Sequence, residues 1–521
     1  MKVQSIFTRS GLCLLGLLGL TLFVSPIAAQ VFDSGPSDSA LFDNVINIPS
    51  DPDIDNSSSI GGSGLTTQLN IFDGGSVGGG VEAISGTEVN VSGGSLSFFF
   101  DAESGSEINI SGGDVGSGLD ANSGSEVNIS GGSIGNGFNA NSGSEVNISG
   151  GCFDRLFEAF SGSQVNISGG SFEPPFRANS GSDVELIGGE FRLNGAAFSG
   201  STITLNADDV FTGTLADGSA FVFNSQESRS IRFPFDTLDT LSGVQLTQVA
   251  LPSLDLSPIV ISNPNPNLPP GLRPGQTLTL QDGGEANNFA VVGATLNVEG
   301  GSFSACVEAT ESTINISGSG GIGNFSAYFG SQVNISGNGV GVFSEAFSGS
   351  EVNISGGFVG LGFVANSGSV VNFSGGMVGA GFGAFSGSQV NVFGSDFVLD
   401  GIPLDDRLTI NNAFTILDRD VTLSGLLADG TEFSFVLNSV FTNANPGGTF
   451  EPGATLTVTL VASKGLLGDV NLDGVVDFFD IAPFIAILAD QTFQFEADID
   501  GDQDVDFFDI APFIAILAGQ G

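Results

Sequence analysis

Asparagine recurs along this chain with a fixed step. Asn90, Asn109, Asn128, Asn147 and Asn166 stand 19 residues apart, and Glu185 and Thr204 continue the register. After a gap, Asn297, Asn315, Asn334, Asn353, Asn372 and Asn391 resume it, at 18 residues once and then at 19. A short period held over so many copies is the mark of a solenoid, in which each unit buries its apolar side only by stacking on the next.

The residues around each Asn fit that reading. Val127 and Ile129 flank Asn128, the alternation of a half-buried strand. Gly131-Gly132 breaks the strand, Ile134, Phe138 and Ala140 follow, and Ser142-Gly143-Ser144 turns the chain into Val146-Asn147-Ile148. The same places hold Val115, Leu119 and Ala121; Phe172, Phe176 and Ala178; Val359, Phe363 and Ala365; and Val378, Phe382 and Ala384. No helical period competes. The pattern predicts a mostly β chain, a parallel β-helix with coils about 4.8 Å apart and these residues as inward columns. The Asn column is expected to be an amide ladder between coils; a row of ligand-binding amides is the alternative. Repeated Asn-Ile-Ser sequons are a by-product of the unit, and the Gly-Gly turns lack the Asp of the calcium-binding RTX nonapeptide.

A larger duplication is also legible. Thr214-Leu215-Ala216-Asp217-Gly218, then Phe221-Val222-Phe223-Asn224-Ser225, returns as Leu426-Leu427-Ala428-Asp429-Gly430, then Phe435-Val436-Leu437-Asn438-Ser439. Arg273 to Leu280 returns as Glu451 to Val458, yet Thr277–Leu280 also aligns with Gln68-Leu69-Asn70-Ile71. The expectation is two arrays joined end to end there, with Pro252 to Pro274 looping out. The chain thus reads as a signal segment (1–29), a flexible lead-in or N-terminal cap (30–64), a first array (65–205), a β-rich cap with a Pro-rich loop (206–276), a second array (277–401), a β-rich C-terminal cap (402–463) and a C-terminal module (464–521).

Lys2 and Arg9, the apolar run Gly11 to Val24, and Pro26-Ile27-Ala28-Ala29 predict a secretory signal cleaved near Ala29, hence a secreted, extracellular chain with no membrane span. Ser10-Gly11-Leu12 before Cys13 makes a poor lipobox. The formal charge is −46; without Lys2 and Arg9, nine basic residues face 57 acidic ones, a side-chain net of −48. Such a charge repels nucleic acid and favours metal cations. Cys152 and Cys306 fall at different places in the repeat, so no bridge is expected between them.

The acids concentrate with a purpose at the C-terminus. Val476–Ala489 and Val505–Ala518 are identical, and each follows an Asp-rich loop. In the first loop Asp469, Asn471, Asp473, Asp477 and Asp480 take positions 1, 3, 5, 9 and 12, with Gly474 at 6 and the Val475 carbonyl at 7. In the second, Asp498, Asp500, Asp502, Asp506 and Asp509 take the same places, with Asp504 at 7. Calcium takes six to eight oxygens around a compact centre, and this spacing supplies them from one turning loop. Ile481, Phe484, Ile485 and Leu488, and again Ile510, Phe513, Ile514 and Leu517, share the predicted inner face of each following helix. Pro483 and Pro512 fall in the first turn, where proline is tolerated.

These loop-helix units, from Gly468 to Gln520, resemble the type I dockerin, a small all-α, EF-hand-like module. The resemblance implies two calcium ions, one per loop, and docking onto a cohesin-like partner. Gln503 stands at position 6 of the second loop in place of glycine, so the second site is expected to be the weaker. Phe478-Phe479 and Phe507-Phe508 occupy positions 10 and 11, where cohesin-binding dockerins often carry polar residues, so a different docking protein is also in view.

Catalysis has little to draw on. The chain has no His and no Trp, one tyrosine (Tyr328), and Lys464 as its only lysine past the signal. Triad and imidazole chemistry is absent. Arg155, Arg177 and Arg192 lie on nearby turns but read as a scattered surface. Three readings remain: a structural or adhesive solenoid displayed through the calcium module; a polysaccharide-acting glycoside hydrolase with an acidic pair; and a non-catalytic solenoid binding a polysaccharide or cell-surface ligand.

Overall fold

The computed structural model describes residues 44–48, 59–61, 66–226, 238–262, 271–286, 289–404, 407–440, 448–461, 468–471, 476–490, 497–499 and 505–518. The signal segment, with Cys13 and Ala29, lies outside them.

The repeat forms a parallel β-solenoid. Glu126–Ile129 pairs in parallel with Glu107–Ile110 on one side and Glu145–Phe153 on the other, so that Asn128 stands opposite Asn109 and Asn147. Period-two alternation turns Val127 and Ile129 inward, where they are buried with Ile134, Phe138 and Ala140. Phe138, Phe157 and Phe176 stack on successive coils with ring centroids 5.1 and 4.9 Å apart. Each fully buried Phe contributes roughly 2–3 kcal/mol of transfer energy. The Ser-Gly-Ser corner needs its glycine twice over. Gly143 sits at φ 82°, and a Cβ there would lie 2.6 Å from the Ser123 hydroxyl. Its N–H donates to the Gly162 carbonyl of the next coil at 2.8 Å.

The Asn column is a ladder. Asn109, Asn128, Asn147 and Asn166 each donate from Nδ2 to the Oδ1 of the Asn one coil earlier at 2.8–3.1 Å. The ladder begins before Asn90, at Asn47 and Asn70. In the second array the rungs from Asn315 to Asn391 are 2.7–3.0 Å. The other Nδ2 proton of Asn90, Asn109 and Asn128 goes to the Glu two residues before it. Those Glu residues themselves stack, with Glu88, Glu107, Glu126 and Glu145 facing one another coil by coil.

The duplication extends to every strand pairing at the C-terminal ends. In the first half, Asp183–Leu193 pairs in parallel with Val244–Gln248 and antiparallel with Val210–Leu215, which forms a hairpin with Ala220–Asn224. In the second, Gln389–Leu399 pairs in parallel with Thr455–Leu460 and antiparallel with Thr422–Leu427, which forms a hairpin with Glu432–Val436. Each hairpin covers a sheet end that would otherwise offer unpaired backbone to another chain. The pairings match Phe221 and Phe223 with Phe433 and Phe435, two residues away from the match that the sequences alone suggest.

The ends of the two arrays depart from what spacing predicts. Thr204 does not continue the register: the chain leaves the coil after Leu193, and Val244–Gln248 supplies the next rung, while Thr202–Ile203 pairs with it antiparallel. Thr277–Leu280, which the match to Thr455–Val458 would place at the close of the first half, does not close it. It is the second rung of the second half, between Ile259–Ile261 and Thr295–Val298, as Thr67–Ile71 is in the first, next to Asn44–Ile48. The Pro-rich stretch therefore carries a strand, Ile259–Ile261, rather than only looping out. Nor do the arrays join end to end. The strands up to Gln248 and those from Ile259 belong to separate sheets around separate cores.

The two halves meet instead through a small third cluster. Val210, Ala220 and Val222, on the outer face of the first hairpin, pack on Val292, Tyr328 and Phe347 from three coils of the second solenoid. The matching outer residues of the second hairpin are Thr422, Glu432 and Ser434. That hairpin keeps one face in solvent, whereas the first is buried on both.

Candidate functional site

The C-terminal module has its own core, with Phe484 and Phe513 stacked at 4.1 Å between α1 (Ile481–Asp490) and α2 (Ile510–Leu517). Ile481, Leu488, Ile510 and Leu517 pack around the pair as expected, together with Ile487. Ile485 and Ile514 were expected inside and are 56 % and 59 % exposed. The two helices meet along the Phe484–Phe513 contact, and the next residue in each is turned about 100° away from it.

Each helix is entered through one turn of 3-10 helix that the loop acids hold in place. The Asp480 carboxylate accepts the Asn471 N–H at 2.9 Å and the Asp477 N–H at 2.8 Å, tying positions 3 and 9 of the loop to position 12. Asp477 in turn caps the turn by accepting from the Phe479 N–H at 2.8 Å. The second unit is clamped in the same way, from position 2 in place of 3: Asp509 accepts from the Ile499 and Asp506 N–H groups, and Asp506 from the Phe508 N–H. Asp469, Asp480, Asp498 and Asp509 are all buried. Asp473, Val475, Asp500, Asp502 and Asp504 lie outside the described residues. Among the described residues no group of three or more His, Cys, Asp or Glu stands close enough to hold a metal. The observation that bears on fit is the donor chemistry. Each loop draws buried carboxylates from its first and last positions into one small module, and every donor is a hard oxygen, which suits calcium. The same turns present Phe478, Phe479, Phe507 and Phe508 to solvent, each at least 69 % exposed.

A second concentration of chemistry sits where the halves meet, unannounced by any motif or spacing. Glu173 of the first solenoid and Cys306 and Glu308 of the second line one cavity of about 20 Å³. That volume holds a single water and no sugar ring. Glu308 is buried and accepts from the Tyr328 hydroxyl at 3.1 Å. Burial, then the charges of Asp239 and Glu173, hold its carboxyl well above the ordinary range. Asp239 closes the first cap by accepting the Phe176 and Asn224 N–H groups, both at 2.6 Å. Burial pushes it up to about 7, against the pull of those bonds and of Arg177. Burial and the two Glu charges likewise raise the Cys306 thiol. Neither Cys152 nor Cys306 is in a disulfide.

The arginines form no common patch; each meets a different acid. Arg155 pairs with Glu173 at 3.1 Å beside this cavity. Arg192 reaches Glu311 of the second solenoid, and Arg273 reaches back to Glu190 of the first, each at 3.1 Å.

A shallow trough of about 660 Å³ runs along the Asn ladder of the first solenoid, lined by Asn109, Asn128, Asn147 and Asn166 with the serines and isoleucines beside them. Among the described residues no helix is long and apolar enough to cross a membrane. No protein family matches the chain, and no curated protein matches it.

Proposed function

We propose that the chain is a secreted structural or adhesive β-solenoid displayed or assembled through a calcium-dependent, dockerin-like module. The observation that carries this reading is the twofold clamp in the C-terminal units, in which Asp480 and Asp509 each gather two backbone N–H groups of their own loop. On this reading Asp469, Asn471, Asp473, Asp477 and Asp480, with the Val475 carbonyl, hold one calcium. Asp498, Asp500, Asp502, Asp506 and Asp509, with Asp504 at position 7, hold a second, weaker one. The ion supplies the charge that lets so many carboxylates share a loop. The exposed pairs Phe478-Phe479 and Phe507-Phe508 then form the contact for a docking protein, apolar where cohesin-type contacts are polar. Calorimetric titration of the full secreted chain with calcium tests the reading. Two sites of unequal affinity are expected, and no heat above that of a chain carrying Asp480→Ala and Asp509→Ala would sink it.

The trough favours a second reading, a non-catalytic ligand-binding solenoid. Its amide Nδ2 groups are already engaged in the ladder, so a ligand would meet Oδ1 acceptors and the neighbouring Glu column. Neutral or cationic glycans suit such a surface and anionic ones do not. Binding of neutral but not sulfated polysaccharide in co-sedimentation is the expected result.

A further inference from the structure

We propose that Glu308 is a proton-operated latch between the two solenoids: protonated, it lets the first cap close on the flank of the second solenoid, and ionised, it parts them. The groups facing it come from both halves. The first solenoid contributes Glu173, paired with Arg155, and its cap contributes Asp239 with Arg177 beside it; the second solenoid contributes Cys306 and Tyr328. Three carboxylates thus crowd one junction. Arg155 is already engaged by Glu173, and the partner of Glu308 is a neutral hydroxyl.

The surroundings leave the charge no other outlet. The shared cavity of about 20 Å³ has room for one water, too little to hydrate an added carboxylate. The flanking seal of Val210, Ala220 and Val222 on Val292, Tyr328 and Phe347 is apolar. More water than the cavity holds reaches Glu308 only as that seal loosens. Because the folded carboxyl holds its proton more tightly than an unfolded one, the latch contributes its full stability below the ordinary carboxylate range. That contribution is lost as pH rises through the raised value. The opening is local to the junction, since each solenoid keeps its own core.

Amide hydrogen exchange on the full secreted chain, corrected for the intrinsic pH dependence of exchange, reads this directly. Between pH 5 and 8.5, protection of residues 220–224 and 289–292 is expected to fall at least tenfold. In Glu308→Gln, which keeps the acceptor for Tyr328, the fall is expected to be at least threefold smaller, the remainder being the part that Asp239 contributes through its bond to the Asn224 N–H. Glu173→Gln removes a charge that raises Glu308, so it is expected to move the transition to lower pH; it also decides the matter if Glu308→Gln does not fold. Flat protection in the parent chain overturns the latch, as does an undiminished fall in Glu308→Gln or an unmoved transition in Glu173→Gln. Loss of protection at the rungs 126–129 together with the junction would mean global unfolding and would also overturn it.

Discussion

The carboxylate of Asp429 accepts a hydrogen bond from the backbone N–H of Gly376 at 2.8 Å, 53 residues earlier in the chain. The duplicate bond joins Asp217 to Gly170 at 3.1 Å. Each fastens a capping hairpin to a glycine corner two rungs from the solenoid end. The neighbouring Gly375 has no room to be anything else, since a Cβ there would lie 2.4 Å from the Asp429 carboxylate. Bonds to a charged acceptor contribute about 1.5–3 kcal/mol. Asp429→Ala is therefore expected to lower unfolding stability by about that much in denaturant titration, and to increase aggregation as the sheet end is uncovered.

The two hairpins differ where it matters. Giving the first the outer residues of the second, as Ala220→Glu with Val222→Ser, places a charge and a hydroxyl against Val292 and Tyr328. The two solenoids are expected to separate while each core survives. Small-angle scattering would report a larger radius of gyration, with circular dichroism unchanged. An unaltered radius would count against the junction as drawn.

Calcium and the helices should rise and fall together. Chelator added to the full chain is expected to remove helical circular dichroism from α1 and α2, and restored calcium to recover it, while the β signal stays constant. Asp480→Ala is expected to abolish the tighter site and Asp509→Ala the weaker. Identical spectra with and without calcium would refute the coupling.

Acid should strengthen the first cap. Asp239 stands at about 7 when folded against 3.8 for an ordinary aspartate, so the folded chain binds the extra proton. Its contribution is complete below pH 4 and is lost as pH rises through about 7, on the order of a few kcal/mol. Melting temperature is expected to drop between pH 4.5 and 8, and Asp239→Asn to drop less. Equal slopes for both chains would dismiss the assignment.

Each inner rung of the ladder serves two neighbouring Asn side chains. Asn128→Ala removes the partner of both Asn109 and Asn147. It is expected to cost about 1–3 kcal/mol by denaturant titration, more than Asn→Ala at the terminal rung Asn391, whose neighbour toward the cap is Thr457.

The coils were legible because their information is local: a rung, two glycine corners and an inward Phe recur within each unit, and stacking only repeats them. What escaped notice depends on distant partners. Val244–Gln248 takes the rung that spacing assigned to Thr204, because the cap hairpin intervenes before the chain returns. The junction was hidden in two small differences, Ala220 against Glu432 and Val222 against Ser434, and a two-residue slip in the apparent match kept them from facing each other. Glu308 and Asp239 carry no motif at all; only the approach of two separately folded halves makes them neighbours. In the module, the Asp spacing announced the loops, but which helix face turned inward was decided by Phe513 meeting Phe484.

The stacked Glu88, Glu107, Glu126 and Glu145 set one negative charge per coil, about 4.8 Å apart. In water, two unit charges repel with the thermal energy at about 7 Å. The column is therefore a short polyelectrolyte, dense enough to gather a counterion atmosphere. The second solenoid has Thr313, Gln332, Glu351 and Val370 in its matching column, and no such line of charge. Dissolved salt thus acts unequally on the two copies of one repeated fold, relieving a repulsion that only the first of them carries.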